Sequence, residues 1–125
     1  MKFAKYTFLI AGIYGIVVLL PQYFMEEKIG VDTPPAITHP EYFYGFIGIA
    51  LAFQLVFIVI SRDPIRYRTL MLASVVEKFS FAIATALLFF NGRLATQMFA
   101  AGMIDLLLGV LFLISFFKTP RQSQA

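Results

Sequence analysis

The chain has 125 residues, 60% of them apolar and only 14% charged, so it is one domain by length and membrane-like in composition. With no cysteine and a single histidine, disulfides, thiol redox chemistry and thiolate metal sites are excluded, a protein-only zinc site lacks ligands, and no metal or cofactor is implied. The net charge of +3 is not a nucleic-acid signal, because the cations gather at the ends of apolar runs.

Four such runs follow one another, Tyr6 to Phe24, Tyr42 to Ser61, Leu70 to Phe90 and Met98 to Phe117. Each is near the ~20 residues that cross a ~30 Å hydrocarbon core. The expected fold is all-α, an integral membrane four-helix bundle forming a single transmembrane domain over residues 1–125. The first run follows Lys2 and Lys5, yet it is too long for a signal peptide and no small-x-small cleavage site follows, so it reads as a retained helix. Gly12 and Gly15 in the first run echo Gly45 and Gly48 in the second, which suggests either a duplicated element or simply close helix packing.

Between the first two runs lies the longest connection, Met25 to Glu41, with Glu26, Glu27, Asp32, Thr33-Pro34-Pro35 and His39-Pro40-Glu41. Its prolines forbid a continuous helix, and its length predicts a segment folded back over one mouth of the bundle. The next turn carries Arg62, Asp63, Pro64, Arg66 and Arg68. Asp63 is cap-like, and Pro64 is expected at the first position of the third helix. The three arginines either clamp lipid phosphates or serve only as topogenic charge. Lys2, Lys5, Arg62, Arg66, Arg68, Lys118 and Arg121 share one side, against Lys28 and Arg93 on the other, which predicts that both termini and the middle turn are cytoplasmic. The tail from Lys118 to Ala125 is polar and expected to fray.

Glu77, Lys78 and Asp105 interrupt the third and fourth runs. A charge at bilayer depth costs about 2.5–3.5 kcal/mol on insertion scales, so such residues usually face an interior and have partners there. At ~1.5 Å per residue, Glu77 and Gln54 share a level ~10 Å from the cytoplasmic end, with Tyr14 within reach. Asp105 falls on a separate level, ~10 Å from the opposite end and near Thr85. Small residues flank both acids, Ala73, Ser74 and Ser80 around Glu77 and Ala101, Gly102 and Gly109 around Asp105, which predicts inward-facing carboxyls. Lys78, a neighbour in sequence, does not face Glu77 in a regular helix and can still snorkel toward the cytoplasmic headgroups with its long stem.

The run His39 to Phe46, then Gln54, Arg62-Asp63-Pro64, Arg66-Tyr67-Arg68, Glu77-Lys78, Gly92-Arg93 and Asp105, resembles small uncharacterised bacterial four-span membrane proteins. The architecture also looks like that of DoxX-like and EXPERA-type four-helix proteins. That resemblance implies a compact bundle with an acid-lined lipophilic pocket, multi-pass in a bacterial inner membrane, and in the EXPERA branch sterol isomerase or ligand-binding activity. The chain departs from it in having no tryptophan and no histidine within its spans.

Two readings of the polar residues compete. In the structural one, Glu77 hydrogen-bonds Gln54 and Tyr14 while Asp105 bonds Thr85 or a backbone group. In the functional one, Tyr14, Gln54, Glu77, Lys78 and Asp105 line a pocket for a small lipophilic ligand or membrane lipid, in a protein acting alone, as a homo-oligomer, or as an accessory subunit of a membrane complex. The alternatives are an isomerase using Glu77 or Asp105 as general acid/base and a small proton-coupled transporter.

Overall fold

The computed structural model describes residues 2–121, which are helical apart from short connections. α1 spans Lys2–Leu19 and runs into a 3-10 turn, Leu20–Phe24, because Pro21 has no N–H with which to continue the ladder. α2 is Glu26–Asp32, α3 Pro40–Arg62, α4 Arg68–Phe90 and α5 Thr96–Lys118. Four segments, Lys2–Phe24, Pro40–Arg62, Arg68–Phe90 and Thr96–Lys118, are each 23 residues long and apolar enough to cross a membrane. At that length each measures about 34 Å. The expected spans are recovered, widened by about one turn or less at their ends.

Local chemistry sets the helix ends. Pro40 occupies the first turn of α3, where its missing N–H costs nothing. α4 ends in a Schellman motif: Gly92, at φ 71°, lets its own N–H reach Phe89 O at 3.0 Å and the Arg93 N–H reach Leu88 O at 2.8 Å. Pro64 does not open α4 as expected. It lies in a turn closed by Tyr67 N–H to Asp63 O at 3.1 Å, so the helix begins only at Arg68. Asp63 does act locally, its Oδ1 accepting the Arg66 N–H at 3.3 Å.

The bundle is built from two closely packed pairs, α1 with α3 and α4 with α5. Glycines permit the approach. A Cβ at Gly12 would lie 2.9 Å from the Gln54 carbonyl oxygen, one at Gly15 would strike the Gln54 amide, and one at Gly102 would strike Thr85 Oγ1. Gly45 has nothing within 4 Å, so the two glycine pairs do not do equivalent work and close packing in α1 is the better account. The pairs are joined mainly in the half of the bundle nearest the chain ends. There Phe8 stacks on Phe112 at 4.1 Å, Phe57 meets Phe112 edge-on at 4.9 Å, and Ala4, Ile60, Met71 and Val75 complete the core. In the other half the buried cluster, Leu19, Ile47 and Ala50, belongs to α1 and α3 alone.

Arg68 ties the two ends of the second pair together. Its Nε donates to Phe116 O at 3.2 Å and Thr119 O at 2.7 Å, and its guanidinium lies 3.8 Å from the centre of the Phe116 ring. It thereby satisfies carbonyls left open at the α5 C-terminus. The tail is correspondingly ordered at its start, with Thr119 buried and its hydroxyl donating to Ser115 O at 2.7 Å. The expected fraying from residue 122 onward lies outside the described residues.

The long connection differs from expectation. Its prolines begin only at Pro34, which leaves room for α2, whose acidic first turn and Lys28–Asp32 pair at 2.8 Å suit a short helix. That carboxylate holds the exposed Lys28 ammonium above its ordinary pKa through the hydrogen bond they share. No α2 residue is buried, and no residue of Met25 to Glu41 borders the cavity between the helix pairs. The segment is moored by Tyr44, whose hydroxyl donates to Glu26 at 2.9 Å.

Candidate ligand-binding cavity

Because the helix pairs are joined at one end and parted toward the other, a cavity of about 370 Å³ opens between them. Val18 and Leu19 of α1, Phe46 and Ile49 of α3, Phe81 of α4 and Met98 of α5 give it a largely apolar wall. At its inner end stand Tyr14, Gln54, Glu77, Lys78 and Asp105. All five residues singled out for a ligand site in the sequence therefore border one space.

Their arrangement departs from the expected one in three respects. Lys78 does not snorkel. It is 4% exposed, and its Nζ lies 3.4 Å from Asp105 Oδ1, 3.7 Å from Glu77 Oε2 and 5.2 Å from the centre of the Phe57 ring. The buried stripe of α4 is Met71, Ser74, Val75, Lys78, Ala82 and Thr85, so Lys78 projects into the bundle and Glu77 borders that stripe. Gly109 of α5 makes the space, since a Cβ there would be 3.2 Å from Lys78 Cβ.

Asp105, second, is not on a separate level, and its polar partner is Lys78 rather than Thr85. Lys78 lies near the midpoint of α4 and Asp105 near that of α5, and the lysine stem covers the remaining offset. The small residues around Asp105 serve helix contact, Gly102 against Thr85 and Gly109 against Phe79 and Lys78.

Third, the hydrogen bonds expected of the acids are not made. Thr85 donates to Phe81 O at 2.9 Å, Ser80 to Glu77 O at 3.0 Å and Ser74 to Leu70 O at 2.9 Å, each hydroxyl turned back on its own helix. Gln54, 1% exposed, likewise spends its Nε2 on Ala50 O at 2.8 Å. Gln54 Oε1 and Glu77 Oε2 are buried without a hydrogen-bond partner. Such atoms are uncommon, and each asks for an explanation.

The proposed lipid-phosphate arginines divide. Arg62 and Arg66 are exposed, whereas the Nε of Arg68 is engaged by the α5 carbonyls. Ionised, the central set carries one cation and two carboxylates, held where water is scarce. It can orient a polar headgroup, and its two carboxyls can exchange protons with a bound molecule. No family model, curated protein or solved structure matches the chain.

Proposed function

We propose that this is a multi-pass protein of a bacterial inner membrane, with both termini cytoplasmic, that binds a small lipophilic molecule or lipid in the cavity ending at Glu77, Lys78 and Asp105. The observation carrying this reading is the pairing of an apolar wall with buried polar atoms that have no partner of their own. Ligand sites are typically apolar clefts of ~300–1,000 Å³ with a few convergent polar groups. A purely structural polar network would be expected to satisfy its own members, since a half-satisfied one costs more than an apolar core. The resemblance to DoxX-like and EXPERA-type bundles, in which an acid-lined lipophilic pocket is expected, accords with this reading. The orientation rests on the arginine-rich turn and the basic chain ends.

One observation favours a second reading, a proton-transfer isomerase: Glu77 and Asp105 border the same cavity, so two acid/base groups could serve one substrate. The experiment that tests the binding proposal is native mass spectrometry of the protein released from membranes with its lipids. A bound species retained by the wild type and lost when Ala101→Phe fills the cavity supports the proposal. Equal retention by both overturns it.

A further inference from the structure

The donor and acceptor inventory of the cavity narrows the ligand class, granted the binding function proposed above. Three donors at the cavity are engaged, Gln54 Nε2 with Ala50 O, Lys78 Nζ with Asp105, and Ser80 Oγ with Glu77 O, and the Tyr14 hydroxyl also borders the space. The unsatisfied atoms are both acceptors, Gln54 Oε1 and Glu77 Oε2. Gln54 is 1% exposed, borders the cavity, and holds its oxygen against Gly15, another lining residue. The charge count agrees with the hydrogen-bond count. Lys78 lies nearer Asp105, at 3.4 Å, than Glu77, at 3.7 Å, and the latter distance is too long for a hydrogen bond. With both carboxyls ionised, one cation set between two carboxylates leaves one negative charge over.

We propose that the cavity selects a lipophilic molecule ending in a cationic hydrogen-bond donor, an alkylammonium group, with Glu77 as its counter-ion and the aliphatic or aromatic body lying between Val18, Phe46, Phe81 and Met98. An anionic headgroup would face two carboxylates, Glu77 and Asp105, with one ammonium already shared between them and the Tyr14 hydroxyl as the remaining donor. A hydroxyl headgroup would satisfy one acceptor and leave the charge. Lys78 does not exclude an ammonium, because its single charge is shared between two carboxylates, Asp105 at 3.4 Å and Glu77 at 3.7 Å.

The test uses three probes of one chain length, n-decylammonium, n-decanol and n-decanoate, titrated onto the detergent-solubilised protein with thermal stability as the readout. The wild type should be half-saturated by decylammonium at a concentration about ten-fold or more below that of decanol, the worth of one charge-assisted hydrogen bond. Decanoate should be weakest. Glu77→Gln should bring the ammonium and the alcohol level, and Ala101→Phe should abolish both responses. If Glu77→Gln fails to fold, as judged by helical circular dichroism, the wild-type ranking decides alone. Decanol equal to decylammonium, or decanoate tightest, overturns the charge selection while leaving the cavity a binding site. Shifts that persist in Ala101→Phe, or no response to any probe, overturn the cavity reading and this inference with it.

Discussion

Replacing Lys78 with methionine keeps most of the stem volume and removes only the ammonium. The side chains of Lys78 and Asp105 are 5% and 17% exposed, so little solvent screens the pair. Removing one partner of a buried pair typically costs about 3–5 kcal/mol, because the other is left as an uncompensated buried charge. Here two carboxylates are left, which places the expected loss for Lys78→Met in that range. Asp105→Asn should cost less, about 1–3 kcal/mol, since Lys78 keeps Glu77 as a partner. Because the residues act as a unit, the double variant should be more stable than the sum of the singles predicts by about 1–3 kcal/mol. Unfolding in mixed micelles of increasing denaturing detergent, followed by helical circular dichroism, measures all three. Costs that add to within about 0.5 kcal/mol would refute the pairing, and a Lys78→Met cost below about 1 kcal/mol would mean the ammonium reaches water after all.

Gly15→Ala should destabilise by about 1–3 kcal/mol because its methyl collides with the Gln54 amide, whereas Gly45→Ala, which meets nothing, should stabilise by up to about 1 kcal/mol; the same unfolding assay should give opposite signs. Arg68→Lys should cost about 1–3 kcal/mol by losing the Nε bonds to Phe116 and Thr119, while exposed Arg62→Lys should stay within about 0.5 kcal/mol, as thermal melts in detergent would read. Reporter fusions at the C-terminus and within Met25–Glu41 should read cytoplasm and exterior respectively, and the reverse pattern would defeat the proposed orientation.

The spans were legible in the sequence because a lipid-crossing helix needs about 20 apolar residues and little else resembles that. The inner polar set was legible for a related reason, since an ionisable residue in such a run stands out by cost. Its geometry was not. Long cations often snorkel, but the residues one turn away on either side, Ser74 and Ala82, mark Lys78 as the stripe position. The depth of Asp105 is poorly legible because counting from opposite ends of two spans adds the uncertainty of both ends. α2 carries its signal in Glu26, Glu27, Lys28 and Asp32, which the prolines that follow outweigh in the sequence of the whole connection. The Ser74 and Ser80 hydroxyls have no partner legible in the sequence and Thr85 does not take the one expected, Asp105, because a hydroxyl in a helix bonds its own preceding turn when nothing better is offered.

The cavity follows from where the aromatic and small residues fall. Glycines at 12, 15, 102 and 109 draw each helix onto its pair partner, but in lipid small residues supply contact and no hydrophobic drive between pairs. What joins the pairs must then be interlocking bulk, and Phe8, Phe57 and Phe112 supply it in the half nearest the chain ends. Toward the other end the large side chains either turn outward, as Val17, Ile83 and Leu87 do, or close within one pair, as Phe89 does on Phe99 at 4.2 Å. Across the gap Phe46 and Phe81 stand 6.0 Å apart between ring centres. A polar set placed at the boundary between the joined and parted halves is therefore backed by rigid packing on one side and faces apolar space on the other. Lys78 is held between Phe57 and the two carboxylates, Asp105 and Glu77, both of which border that space.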